Sequence, residues 1–160
     1  MNAHTHTLIK LRVNEEALDF YKTSQDLGEL AAKSFFPLKE NDRQKHRSQM
    51  TGLENVAETT LKWTDVLDYI KKQMARPRGW TTLYDGKSFG ESLKQYIEVE
   101  IPKRVECICN DNRLRIGEQS DEEKRIRQYI RLALIRQLIR QVVVHYEYRV
   151  NEMEEKRVAR

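Results

Sequence analysis

The chain has 160 residues, a net charge of +4, six glycines and three prolines. That length suits one domain with a real core, and so few turn-forming residues argue against a fold of many short strands. Charged residues make up 34% and Lys, Arg, Glu, Gln and Leu recur, which favours helix, while no window of 18 apolar residues exists to cross a membrane.

Residues 1–13 read as a loose lead-in, with His4 and His6 in a polar tail. A first helix is expected from Asn14, a good N-cap, with Glu15 and Glu16 at its positive end. Leu18, Tyr21, Leu27, Leu30 and Ala31 form its buried stripe, and Pro37 ends it. A second helix should start at Asn41 or Asp42 and run to about Ala75. Its apolar series Met50, Leu53, Ala57, Leu61, Leu67, Ile70 and Met74 keeps one face. Such a helix would be about 50 Å long, weakened locally at Gly52.

Pro77 and Gly79 close it, and residues 80–87 form a loop. Ser88 and Glu91 have capping-box spacing, so a third helix should begin there and carry Leu93, Tyr96 and Ile97 inward. Pro102 is expected to break or kink it near Ile101, with Arg104 to Cys109 continuing as a short helix. A polar loop, Asn110 to Glu118, leads to a second capping box at Ser120 and Glu123. That box opens a long helix over 121–148 with apolar residues around its whole circumference, the pattern of a central post buried on several sides. Val142, Val143 and Val144 favour strand locally, yet the apolar pattern enters them without a turn signal, so they are read as helix. From Arg149 onward the pattern is charged and is expected to fray. The fold class is thus all-α: one helical bundle over 1–160, with two long helices, two or three shorter ones, and loose ends at 1–13 and 150–160.

The positive charge is uneven. Residues 41–80 carry eight basic and five acidic side chains, and residues 121–160 carry ten and seven. On the second helix Arg43, Lys45 and Arg47 cluster at one end, and Lys71, Lys72, Arg76 and Arg78 at the other. Between them Glu58–Lys62 and Asp68–Lys72 have the spacing of helical ion pairs. Basic helix ends suit nucleic-acid phosphates. Trp80, just beyond Arg78, is a candidate base-stacking residue. Arg127, Arg131 and Arg136, threaded through the long helix, complete the candidate set, since their guanidinium groups must reach a surface, a carboxylate or a phosphate.

Catalytic signals are sparse. Arg140 and His145 fit R-x4-H, which resembles the signature of helical ribonucleases of the higher eukaryote and prokaryote nucleotide-binding class. There such a pair, usually across a dimer, activates a ribose hydroxyl and holds the phosphate, so the resemblance implies Arg140 and His145 as an alternative catalytic pair. Cys107 and Cys109 lack the spacing of a zinc site and read as reduced thiols, which fits a cytoplasmic protein. Residues 1–12 contain no apolar core of a secretory signal, so none is expected. No cofactor or metal is expected.

In size, charge and helical plan the chain resembles the small-subunit families of CRISPR effector ribonucleoproteins. Gln49 to Leu53, Val66 to Gln73, and then Arg76 and Trp80 look like such a helical unit with a basic end. The resemblance implies a non-catalytic subunit that stacks with larger proteins and lines a groove for RNA or another single strand. Expected partners are therefore RNA or single-stranded nucleic acid, other subunits of a complex and further copies of the chain. A protein-only helical adaptor is the remaining alternative.

Overall fold

A computed structural model describes residues 1–159 and is an all-α bundle with one small hairpin. Its axis is α7 (Asp121–Val158), 38 residues long, against which α1 (Ala3–Asp19), α2 (Tyr21–Phe35), α3 (Glu40–Thr59), α4 (Trp63–Met74) and α6 (Ile101–Cys109) all pack. Ile130, Leu134, Ile135, Leu138, Ile139, Val142 and Val143 are buried on its several sides, as expected of a helix that is apolar all round. Ser120 starts it with a complete capping box, its Oγ accepting from the Glu123 N–H and the Glu123 carboxylate accepting from the Ser120 N–H. The three valines are helical. The charged tail does not fray at Arg149, because Val150 is buried and carries the helix on to Val158.

The lead-in is also helical. Asn2 caps α1 by accepting from the Thr5 N–H at 2.8 Å, and Leu8, Ile9, Val13 and Ala17 are buried. Asn14 therefore lies inside a helix, where its capping chemistry is unused. The first long helix divides at Phe20, a fully buried side chain at the junction of α1 and α2. Because the division shifts the helical phase, Leu18 and Tyr21 point outward, Leu18 being 76% exposed. At the C-terminal end of α1, Arg104 of α6 pairs with Glu16 and Asp19, while Arg12 pairs with Glu15, Glu16 and Asp111. These pairs fasten α1 to the α6 region.

The expected 50 Å second helix does not exist as one piece. It breaks at Thr60, Leu61 and Lys62, where Thr60 and Lys62 are extended and Leu61 is 91% exposed. Thr60 Oγ1 accepts from the Lys62 N–H at 3.0 Å, a local bond that competes with the helical ladder. Arg136 of α7 then donates to the Ala57 and Thr60 carbonyls, each at 2.8 Å, and so caps the C-terminus of α3. α4 folds back antiparallel on α3, with the Tyr69 hydroxyl donating to the Gln49 carbonyl at 2.6 Å. Gly52 is the seat for that ring: a Cβ there would lie 2.3 Å from the Tyr69 hydroxyl.

Residues 80–87, expected as a loop, include a hairpin in which Leu83–Tyr84 pair antiparallel with Lys87–Ser88. Asp85 and Gly86 both have positive φ, as a two-residue hairpin turn requires. Ser88 caps α5 (Phe89–Gln95). Pro102 does not break the helix. One π-helical turn, Tyr96–Glu100, carries α5 directly into α6, and the Ile101 N–H bonds back to the Tyr96 carbonyl. The wider turn accommodates a residue that has no N–H of its own.

Candidate nucleic-acid interface

The break after Thr59 decides the geometry of the basic residues. In one straight helix the two clusters would stand at opposite ends. Folded back, they meet. Lys45 of α3 shares a cleft of about 780 Å3 with Lys72 of α4 and with Arg76 just beyond it. Asn41, Gln44, Ser48, Gln49, Tyr69 and Gln73 complete the lining, so no carboxylate enters it. Lys45, Lys72 and Arg76, together with the exposed Lys71 and Arg78, form no ion pair among the described residues. The spacings that suggested ion pairs in this region are not used: Glu58 pairs with Arg140 while Lys62 lies beyond the end of α3, and Asp68 and Lys72, both within α4, form no ion pair. Unpaired cations gathered without an acid are what an anionic ligand needs.

Two further members of the first cluster are engaged elsewhere. The Arg43 guanidinium lies over the Phe36 ring at 5.2 Å and donates to the Phe36 carbonyl. Arg47 pairs with Glu154 of α7 at 3.2 Å, in a half-exposed and exchangeable contact.

Trp80 is no stacking platform. It is fully buried, packs on Phe89 and Phe35, and donates its indole N–H to Gln49 Oε1 at 2.7 Å. The same oxygen accepts from His46 Nδ1 at 2.8 Å, and the His46 ring stacks on Phe35. This knot of His46, Gln49, Tyr69 and Trp80 forms the floor that joins α3 to the segment after α4. Trp80 therefore supports the cleft and does not face a ligand.

The arginines of α7 are likewise turned to their own chain. Arg127 donates to the Gly117 and Ile116 carbonyls at 2.6 and 2.7 Å and pairs with Glu106 and Glu118, fastening the loop before α7. The Arg131 guanidinium sits 3.4 Å from the Trp63 ring centre, and burial pushes its pKa down. Arg136 caps α3, as described above. Besides carboxylates, these guanidinium groups thus find two partners within the folded chain: main-chain carbonyls and an aromatic face.

Arg140 and His145 are not brought together within one chain. Arg140 faces α3, bonded to Glu58 at 2.6 Å. His145 packs edge-on against Tyr21 of α2, with ring centres 5.0 Å apart. Cys107 is exposed and Cys109 buried, both as free thiols, and no group of metal-binding side chains occurs among the described residues. No described helix is long and apolar enough to cross a membrane.

One lining residue carried a readable signal that charge counting passes over. Gln73 follows Val66 and Ile70 on the apolar face of α4, a position where the pattern calls for an aliphatic side chain, and it is 3% exposed. No protein-family model matches the chain, and no curated protein or solved structure is detectably similar to it.

Proposed function

We propose that the chain is a non-catalytic, nucleic-acid-binding subunit of a larger ribonucleoprotein, holding phosphates in the α3–α4 cleft. One observation carries the reading: the fold-back places Lys45 beside Lys72 and Arg76 in a cleft with no acidic lining. Two lysines and one arginine with polar amides and a hydroxyl between them suit a backbone. They offer charge and hydrogen bonds to phosphate and sugar, which position a strand without reading its sequence. The non-catalytic part of the reading comes from the resemblance to the small subunits of CRISPR effector complexes. The place in a complex comes from the same resemblance.

Salt dependence tests the reading directly. A single strand that meets three cations should show a log–log slope of about −2.1, from about 0.7 per phosphate contact. Fluorescence anisotropy with a labelled single-stranded 12-mer, titrated at several salt concentrations, measures it. The triple variant Lys45→Glu, Lys72→Glu, Arg76→Glu should lose binding to every sequence alike, because phosphate contacts carry no base information. A triple variant that binds as tightly as the parent makes the cleft ordinary surface and favours a protein-only adaptor.

A further inference from the structure

The first turns of α3 form a ridge between two hollows. At about 100° per residue, Glu40, Arg43 and Arg47 fall to one side of Gln44, and Asn41, Lys45 and Ser48 to the other. The second group lines the α3–α4 cleft. The first lines a separate cavity of about 550 Å3, and Gln44 belongs to both walls. The end of α2 and the last turns of α7 complete that cavity with Phe35, Phe36, Tyr146 and Val150. Its volume lies within the range of small-ligand sites, about 300–1,000 Å3.

Tyr146 is the polar group that this cavity leaves without a partner. Its side chain is 2% exposed, and no hydrogen bond engages its hydroxyl among the described residues. Arg47 and Glu154, both wall residues, are among the charges that bear on it, so the hydroxyl end stands at the cavity. It is not one of the sealed polar atoms of the chain, so an occupant can reach it. Burial pushes its pKa up to about 12, which keeps it protonated and able to donate. Of the two carboxylates on the wall, Glu154 is held by Arg47 at 3.2 Å, while Glu40 forms no ion pair among the described residues and is free to accept. Arg43, Arg47 and Arg157 supply positive charge.

A nucleotide of a strand held in the neighbouring cleft matches each of these features. Its phosphate meets arginine, its ring meets the apolar floor, and every base carries both an N–H donor and an acceptor on its pairing edge. A simple organic anion would leave Glu40 unmatched, and an apolar molecule would leave the Tyr146 hydroxyl and the arginines unmatched. We propose that a strand lying in the α3–α4 cleft crosses α3 at Gln44 and turns one unpaired base into this cavity, with its polar edge accepting from the Tyr146 hydroxyl. This rests on the nucleic-acid reading above and gives the strand a base contact that the cleft's cations do not supply.

Thymidine and abasic single-stranded 12-mers isolate the contact, since they share the phosphate backbone and differ in the bases. In fluorescence anisotropy the thymidine strand should bind the full chain at least about 5-fold more tightly, the lower end of what seating one base contributes. Tyr146→Phe keeps the ring and removes the hydroxyl, so that preference should narrow at least about 2-fold, the loss of one hydrogen bond of ordinary net strength. The same variant should melt within about 1 °C of the parent, because the hydroxyl has no partner in the chain to lose. Both affinities are read well below the transition, on folded protein.

The outcomes separate the two claims. If neither strand binds, or binding ignores the Lys45, Lys72 and Arg76 reversals, the nucleic-acid reading fails and takes this inference with it. If both strands bind equally and respond to those reversals, the reading stands and the base site is overturned. A preference for the thymidine strand that Tyr146→Phe leaves intact likewise overturns it, by placing the bases elsewhere.

Discussion

Replacing Arg136 by methionine separates two roles that the sequence leaves open for this residue. Arg136 donates to the Ala57 and Thr60 carbonyls at 2.8 Å each, where α3 ends and the chain turns back. Methionine keeps most of the aliphatic stem and its packing, so the loss falls on the two charge-assisted hydrogen bonds. Bonds to charged groups contribute about 1.5–3 kcal/mol each, but both carbonyls sit at a helix end where water reaches them in part. A total cost of about 1.5–3 kcal/mol follows, which for a domain of this size lowers the melting temperature by about 3–12 °C. Arg136→Lys should recover less than half of it, since one ammonium cannot fork between two carbonyls. Thermal unfolding followed by circular dichroism at 222 nm reads the shift. A variant that melts within about 1 °C of the parent yet loses nucleic-acid affinity would show that Arg136 is a ligand contact and that the cap is incidental.

Two further outcomes test the packing and the charge clamp. Gly28→Ala should cost about 1–3 kcal/mol in urea unfolding, although alanine gains about 1 kcal/mol in a free helix. The reason is the closeness of α2 to α7: a Cβ at Gly28 would stand 2.6 Å from the Val142 carbonyl oxygen and 2.8 Å from the Tyr146 nitrogen. Asp111 accepts from the side chain and main chain of Arg113 and pairs with Arg12, and these contacts lower its pKa from 3.8 to about 2. A depressed carboxyl contributes stability above its unfolded value, and that contribution is lost as pH falls through its folded one. Asp111→Asn should therefore unfold earlier than the parent at pH 7, and the two melting curves should converge between pH 3.8 and about 2. A gap that persists at pH 2 would show that Asp111 acts by packing.

The long helix was legible because its signal is redundant. A capping box at Ser120 and apolar residues at every azimuth from Ile126 to Val143 agree on one buried element. The interruptions at Phe20 and Thr60 were not legible, for a physical reason. Neither carries a proline or a glycine, and apolar spacing continues across both, so local propensity opposes the break. Tertiary partners make it: a fully buried Phe20 in one case, the Arg136 cap and the Tyr69–Gln49 bond in the other. Leu61 shows the consequence, since a residue placed in the core by periodicity is exposed once the phase is lost. The basic clusters were visible as composition, but their meeting depends on the Thr60 break and could not be seen without it. Trp80 was misplaced because its partners, Gln49 and His46, lie more than thirty residues upstream and give no local sign of a buried amide.

The division of labour among the cations follows from their chemistry. A guanidinium presents a planar fork that suits paired carbonyls, carboxylates and ring faces, and Arg104, Arg127, Arg131 and Arg136 are used in those ways to hold the bundle together. An ammonium is a compact point charge on a flexible stem, well suited to following a phosphate whose exact position varies. Lys45, Lys71 and Lys72 are left unpaired at the surface among the described residues. A formal charge of +4 thus conceals an uneven distribution, in which seven of the fifteen described arginines pair with carboxylates while the fold-back of α4 brings Lys45 and Lys72 beside Arg76. The same Arg136 that caps α3 sets the turn that creates the cleft. In this chain, stability and the proposed binding surface depend on one junction, three residues long.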